Sequence, residues 1–352
     1  MKMYHIPAIV AMLCLICCSP DPADDSDMLK DVETEQTPSK DEDPGSQDSE
    51  DSTPDEKPGS DGQEGSDDKP DSDGSDEKVP AGYALVWKDD FSAKTLDESC
   101  WNIEVNGDGG GNQELQFYRS ENVSLGVEPV SRNTCLVLTA RKEDFGGRKF
   151  TSGRVNTKKK VAFKYGRFDA SIRLPKTADG LWPAFWLMGD NYDEVGWPRC
   201  GEIDILEMGN AEGIRKGTQD RYFNGACHWG FYKDLGGNNW AYPNYAKAST
   251  WDYSLQDDRF HLFTLIWDEE KVSMYVDLDK FPDVRPYYEM TISDKGDDWG
   301  VGHYFHHEYF ILFNLAVGGH FTGILSPSGI TALANTPEAS MYVDYVKVYR
   351  KK

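Results

Sequence analysis

The chain has 352 residues, 61 acidic against 37 basic, and a formal net charge of −24. So negative a chain would be repelled by nucleic acid rather than steered to it, which excludes that class of partner. After the first eighteen residues four cysteines remain, Cys100, Cys135, Cys200 and Cys227; they form no CxxC pair of the kind zinc uses.

Met1 to Cys18, MKMYHIPAIVAMLCLICC, carry one lysine and then a short apolar run. The run is too short to span a bilayer and suits the core of a signal peptide. It ends in Leu15-Ile16-Cys17-Cys18, which resembles a bacterial lipoprotein processing box, although Cys17 stands where Gly, Ala or Ser is usual. Cys18 is the expected lipidated residue, with Cys17 as the alternative and a plain secretory signal as the other reading. The expectation is export and a lipid anchor in the bacterial outer membrane, facing the cell surface. Residues 19–80 hold 23 acids and five lysines among Ser, Pro and Gly, a net of −18. Such a tract cannot offset its ordering entropy by burying apolar surface, so a disordered acidic linker is expected. The acidity belongs to this linker, since residues 81–352 carry only −7.

Residues 81–352 are long enough for one domain with one large core. TLDESCW (95–101) suits a single turn or short helix. Runs rich in Val, Ile, Tyr, Phe and Trp then recur between Gly, Pro, Asn and Asp. They are TCLVLTA (134–140), GRFDASIRL (166–174), FHLFTLIW (260–267), KVSMYVDL (271–278), YFILFNLAV (309–317) and MYVDYVKVY (341–349). Many short strands without intervening helices predict an all-β sandwich or jelly roll of antiparallel sheets. No fixed repeat points to a propeller. An exported chain permits a disulfide, but the spacing does not pair the cysteines.

One stretch stands out. GEIDILE (201–207) sets three carboxylates in an apolar, β-branched run, just after Trp182, Phe185, Trp186 and Trp197. In a regular strand Glu202 and Asp204 share a face and Glu207 points the other way, with about 16 Å between the outer Cα atoms. One extra residue, a β-bulge near Ile205-Leu206, would return Glu207 to the common face. Two carboxyls could then approach to about 5–5.5 Å, the separation a retaining glycosidase needs. Acids are 61 of the 352 residues, so this spacing arises by chance once or twice and is not specific alone. The tryptophans supply the context, because flat rings stack on sugar faces while polar groups read hydroxyls. The bland alternative is a charged strand edge.

From about Tyr83 to Arg350 the chain resembles a family 16 glycoside hydrolase of the laminarinase-like type. The resemblance rests on NQELQFY (112–118), TSGRVNTK (151–158), YGRF (165–168), GLWPAFWLMG (180–189), WPRCGEIDILE (197–207), ACHWG (226–230), NLAVGG (314–319) and VDYVKVY (343–349). It implies a jelly roll with the glycan on a concave face, and an endo-acting, retaining hydrolase. It implies that Glu202 is the nucleophile, Asp204 the assisting carboxylate and Glu207 the acid/base. Trp182 and Trp197 resemble sugar-stacking residues, while Trp186 suits stacking or core equally. Asn112 and Asn314 resemble polar cleft residues, and His228 one on the aglycone side. Arg154 is either a sugar contact or framework. No cofactor is required; a structural Ca2+ is possible in this family, and Asp90 and Asp344 fall where its ligands would come from. A monomer is expected.

The pattern departs in two places. Related β-1,3-glucanases read YGRF-Glu-Ala-Arg with the arginine near the sugar, whereas this chain has Asp169-Ala170-Ser171. MYVDLDKFPDVRPYYEM (274–290) also lacks the usual glycine-bearing hairpin. The resulting expectation is hydrolysis of β-1,3- or mixed-linkage β-glucan, with an endo-β-galactosidase acting on poly-N-acetyllactosamine or mucin-type glycans as the alternative. A non-catalytic surface glycan-binding protein is the reading from another class.

Overall fold

The computed structural model describes residues 79–352. The signal segment, Cys18 and the linker up to residue 78 lie outside the described residues. The folded unit is a β-jelly roll of two stacked, mainly antiparallel sheets.

The ten-stranded sheet runs Tyr288–Thr291, Lys271–Val276, His261–Trp267, Gly166–Arg173, Glu338–Lys351, Thr134–Arg141, Phe150–Ser152, Gln116–Tyr118. Val123–Val127 adds to Thr134–Arg141, and Tyr83–Asp89 adds to Glu338–Lys351 with Tyr83 opposite Lys351. The eight-stranded sheet runs Asn244–Thr250, Tyr222–His228, Glu202–Met208, Leu181–Gly189, Tyr309–Val317, Arg154–Asn156, Asn102–Ile103, with Ala162–Phe163 also on Tyr309–Val317. Alternation along each strand fixes which side is buried. Phe168, Ala170 and Ile172 of the first sheet meet Phe185, Leu187, Ile203, Ile205 and Phe313 of the second in one continuous core.

The predicted strands form close to their predicted ends, and Tyr309–Val317 spans the expected residues. The 95–101 stretch is a turn in which Asp97 O accepts from the N–H groups of Cys100 and Trp101. The all-β expectation left no place for the helix Ala211–Lys216. Asn210 Oδ1 caps it by accepting from Glu212 N at 2.8 Å, and left-handed Gly217 ends it. All four cysteines of the described residues are free. No helix among these residues is long and apolar enough to cross a membrane.

Ser171 lies on the ten-stranded sheet, its side chain facing away from the core that holds Ala170 and Ile172. The 277–286 connection joins two strands of that same sheet. Ser171 therefore sits a whole sandwich layer, about 10 Å or more, from the face that carries GEIDILE. Ser171 cannot report on which sugar is bound there, and that support for a galactoside falls away.

Candidate active site

The Glu202–Met208 strand lies near the middle of the eight-stranded sheet. Glycines fix both its ends. Gly201 (φ +77°) and Gly209 (φ +95°) are left-handed, and an added Cβ would meet Tyr309 Oη at 1.9 Å and the Leu181 carbonyl at 2.0 Å. Between them the register breaks. Opposite Tyr222–His228, Asp204 faces Ala226 and Glu207 faces Asn224, so three steps on one strand match two on the other. This is the expected β-bulge, and Ile205 and Leu206 both enter the core. Glu202, Asp204 and Glu207 consequently share the outer face of the sheet.

Each outer glutamate has a tryptophan donor. Trp197 Nε1 donates to Glu202 Oε2 at 3.0 Å, and Trp182 Nε1 donates to Glu207 Oε1 at 3.1 Å. His228 faces Glu202 across the strand pair; its Nε2 lies 3.4 Å from Asp204 Oδ2 and 4.0 Å from Glu202 Oε1. Trp186 Nε1 donates to Asn314 Oδ1 at 2.7 Å. Arg154 sits 4.9 Å over the Trp186 ring with its Nε 3.0 Å from Glu104 Oε1. The arginine is thus held in the framework, and its charge favours ionised Glu202.

Burial raises Glu202 to about 7, against the Trp197 N–H and the Arg154 charge that pull it down. Burial and then the charge of Glu202 raise Glu207 to about 8, against the Trp182 N–H. Asp204, 5% exposed, is raised well above the usual carboxylate range by burial and by both glutamates. Burial lowers His228 to about 4, so the imidazole is neutral near pH 7. Three like charges this close cannot all persist, and the set titrates as a unit. The proton Asp204 retains can be offered to Glu202, which keeps Glu202 anionic while Glu207 stays protonated.

Asn112 borders this group at Trp182, across Gly319. Its carbonyl accepts from His320 N at 2.8 Å, and its side chain reaches its own loop at Gly110 O, 3.4 Å. Sequence reading missed four neighbours. Asn224, opposite Glu207, was available from alternation two and four residues before Ala226 and His228. Phe321 stacks on Trp182 at 4.7 Å, and Tyr242 and Tyr232 lie edge-on to Trp197 at 4.8 and 6.1 Å. These last three come from connections that carry no periodic signal.

Glu202, Asp204 and His228 are the group of three among the described residues that could hold a metal ion, with ligand atoms within 4.8 Å of one another. The calcium expectation concerns Asp90 and Asp344. Asp90 accepts from Ser92 and pairs with Lys88 at 3.6 Å, while Asp344 accepts from Asn133. Two carboxylates, one already paired, do not by themselves fit an ion that takes about six to eight oxygens. A cavity of about 1140 Å³ opens elsewhere, beside Tyr83, Tyr165, Asp268 and His306. It shares no residue with the carboxylate group, whose convergent donors make it the better candidate for chemistry.

Residues 117–291 match the family described as glycosyl hydrolases family 16. Over 289 residues the chain is 34% identical to a beta-glucanase of Rhodothermus marinus, covering 79% of this chain and 88% of that protein. The chain belongs to glycosyl hydrolase family 16. It is a glycoside hydrolase by that membership. A further relative, glucan endo-1,3-beta-glucosidase A1 of Niallia circulans, is 31% identical over 77% of this chain, which spans 38% of that relative's length. A solved family 16 structure from a Bacteroides ovatus mixed linkage glucan PUL, in complex with a G4G4G3G product, is 40% identical with a TM-score of 0.63, covering 74% of this chain and 99% of that one. A keratan-sulfate endo-1,4-beta-galactosidase of Sphingobacterium multivorum is 26% identical, over 76% of this chain and 55% of that protein.

Proposed function

We propose that the chain is a retaining endo-β-glucanase that cleaves internal bonds of β-1,3- or mixed-linkage β-glucan. The bulge carries this reading, because it sets Glu207 on the face of Glu202 with a tryptophan donor on each. Glu202 attacks the anomeric carbon while Glu207 gives its proton to the departing sugar oxygen, leaving a glycosyl ester on Glu202. Water then loses a proton to Glu207 and attacks the anomeric carbon, which breaks its bond to Glu202 and frees that carboxylate. Asp204 positions and supplies the hydrogen bond that keeps Glu202 ionised. Trp182 and Trp197 bound the sugar, while Trp186, Asn314 and Arg154 form the floor between them, and His228 closes the Glu202 end.

The glucan preference is supported by the relatives and by the loss of Ser171 as a counter-indication. Laminarin, lichenan and keratan sulfate digested side by side test it. Products from either glucan support the assignment, and products from keratan sulfate alone overturn it. We also propose export and lipidation at Cys18, resting on the sequence of residues 1–18; Cys18→Ala should release the enzyme from membranes, and retention of the label from fatty acid by that variant would refute the site.

A further inference from the structure

The bulge that re-aims Glu207 leaves a buried carbonyl to be satisfied. Against the Leu181–Gly189 strand the register passes from Phe185–Leu206 to Trp186–Asp204 and skips Ile205. Ile205 is fully buried, where an unpartnered backbone carbonyl is costly. Its partner comes from the other sheet. The hydroxyl of Tyr287 donates to Ile205 O. Tyr287 directly precedes the Tyr288–Thr291 strand, is itself buried, and packs edge-on against Phe223 at 4.7 Å. Gly225, the residue facing Ile205 and Leu206 across the strand pair, makes room for it. A Cβ there would lie 2.9 Å from Tyr287 Cε2 and 2.8 Å from Met274 Sδ.

We propose that Tyr287 is a positioning residue for Glu207, acting across the sandwich through the Ile205 carbonyl, with Gly225 as the gap that admits its ring. Tyr287 lies on the core side of the sheet and its hydroxyl meets backbone, so it does not touch substrate. It pins the extra residue in the one register that points Glu207 outward. Without the pin the strand can relax toward regular pairing, and a shift of a fraction of an ångström at Glu207 lowers the rate. The inference rests on the reading of Glu207 as the acid/base.

Tyr287→Phe removes only the hydroxyl. The measurement is kcat/KM on lichenan or laminarin beside kcat/KM on a dinitrophenyl β-glycoside of a glucan oligosaccharide, whose leaving group departs unprotonated. The expected result is a loss of about tenfold on polymer with KM little changed, and a change of less than about twofold on the activated glycoside. Gly225→Ala keeps the hydroxyl but displaces the ring, and should give the same split; it serves if Tyr287→Phe does not fold. Equal losses on both substrates, or wild-type rates on both, overturn the proposal. Glu207→Gln in the same assays separates the two readings. Should it cleave polymer normally, the acid/base assignment fails; should it show the split while Tyr287→Phe and Gly225→Ala do not, only the positioning role falls.

Discussion

Two clusters among the described residues place a histidine between two carboxylates, and they behave in opposite ways. His261 donates or accepts at 2.8 Å with Asp277 and 3.1 Å with Asp257. Asp277 also accepts from Tyr253 Oη at 2.8 Å, Leu262 N at 3.0 Å and Lys280 Nζ at 3.0 Å. Burial alone would raise its carboxyl, but the hydrogen bond and charge of His261, with Leu262 N–H and Lys280, hold it well below the usual range. At the other cluster, Asp204 Oδ2 is buried without a hydrogen-bond partner and all three carboxyls are pushed up. The same residue types give a strut where every lone pair is met, and a reactive group where protons must be shared.

The contrast can be broken most sharply at the reactive cluster. Glu202→Gln and Glu207→Gln should each lower polymer hydrolysis by about a thousandfold or more, read from initial rates on lichenan. The same variants should melt higher than the wild type at pH 8. Folded Glu207 has a raised value, so its ionisation costs stability as pH climbs from the ordinary carboxyl range through about 8. Below that range both forms are neutral and the difference should vanish.

Asp277→Asn should do the reverse: a loss of about 3 kcal/mol in urea unfolding at pH 7, with kcat per folded molecule unchanged. Its folded value is depressed, so the stabilisation is complete above the ordinary carboxyl range and fades as pH falls below it. Unchanged stability would show that the strut is idle. A smaller effect should follow Trp197→Phe. Losing its N–H lets Glu202 rise, so the acid limb of the pH profile of kcat/KM, near 7 in the wild type, should move up. The smallest belongs to Glu212→Ala on the exposed face of Ala211–Lys216, which should leave Tm and rates as they are.

Much of this was legible in one dimension because it obeys a period. The strands follow apolar alternation, and three acids on one short run demanded a bulge if they were to act together. Asn224 obeyed the same alternation and could have been found from His228. What alternation does not carry is layer. The Gly166–Arg173 strand reads as cleft-lining by motif, and only its pairing with His261–Trp267 and Glu338–Lys351 puts Ser171 on the far side. Nor does it carry loop contacts, which is why Phe321 and Tyr242 stayed hidden, or hydrogen-bond completeness, which alone separates Asp277 from Asp204.

The pairing of Tyr83 with Lys351 has a practical consequence. The first and last strands of the folded unit end beside each other on the ten-stranded sheet, the layer without the carboxylates. A bead, a resin linker or a fused reporter joined at either terminus of that unit is joined to its back, so an immobilised enzyme keeps its working surface turned toward bulky polymer.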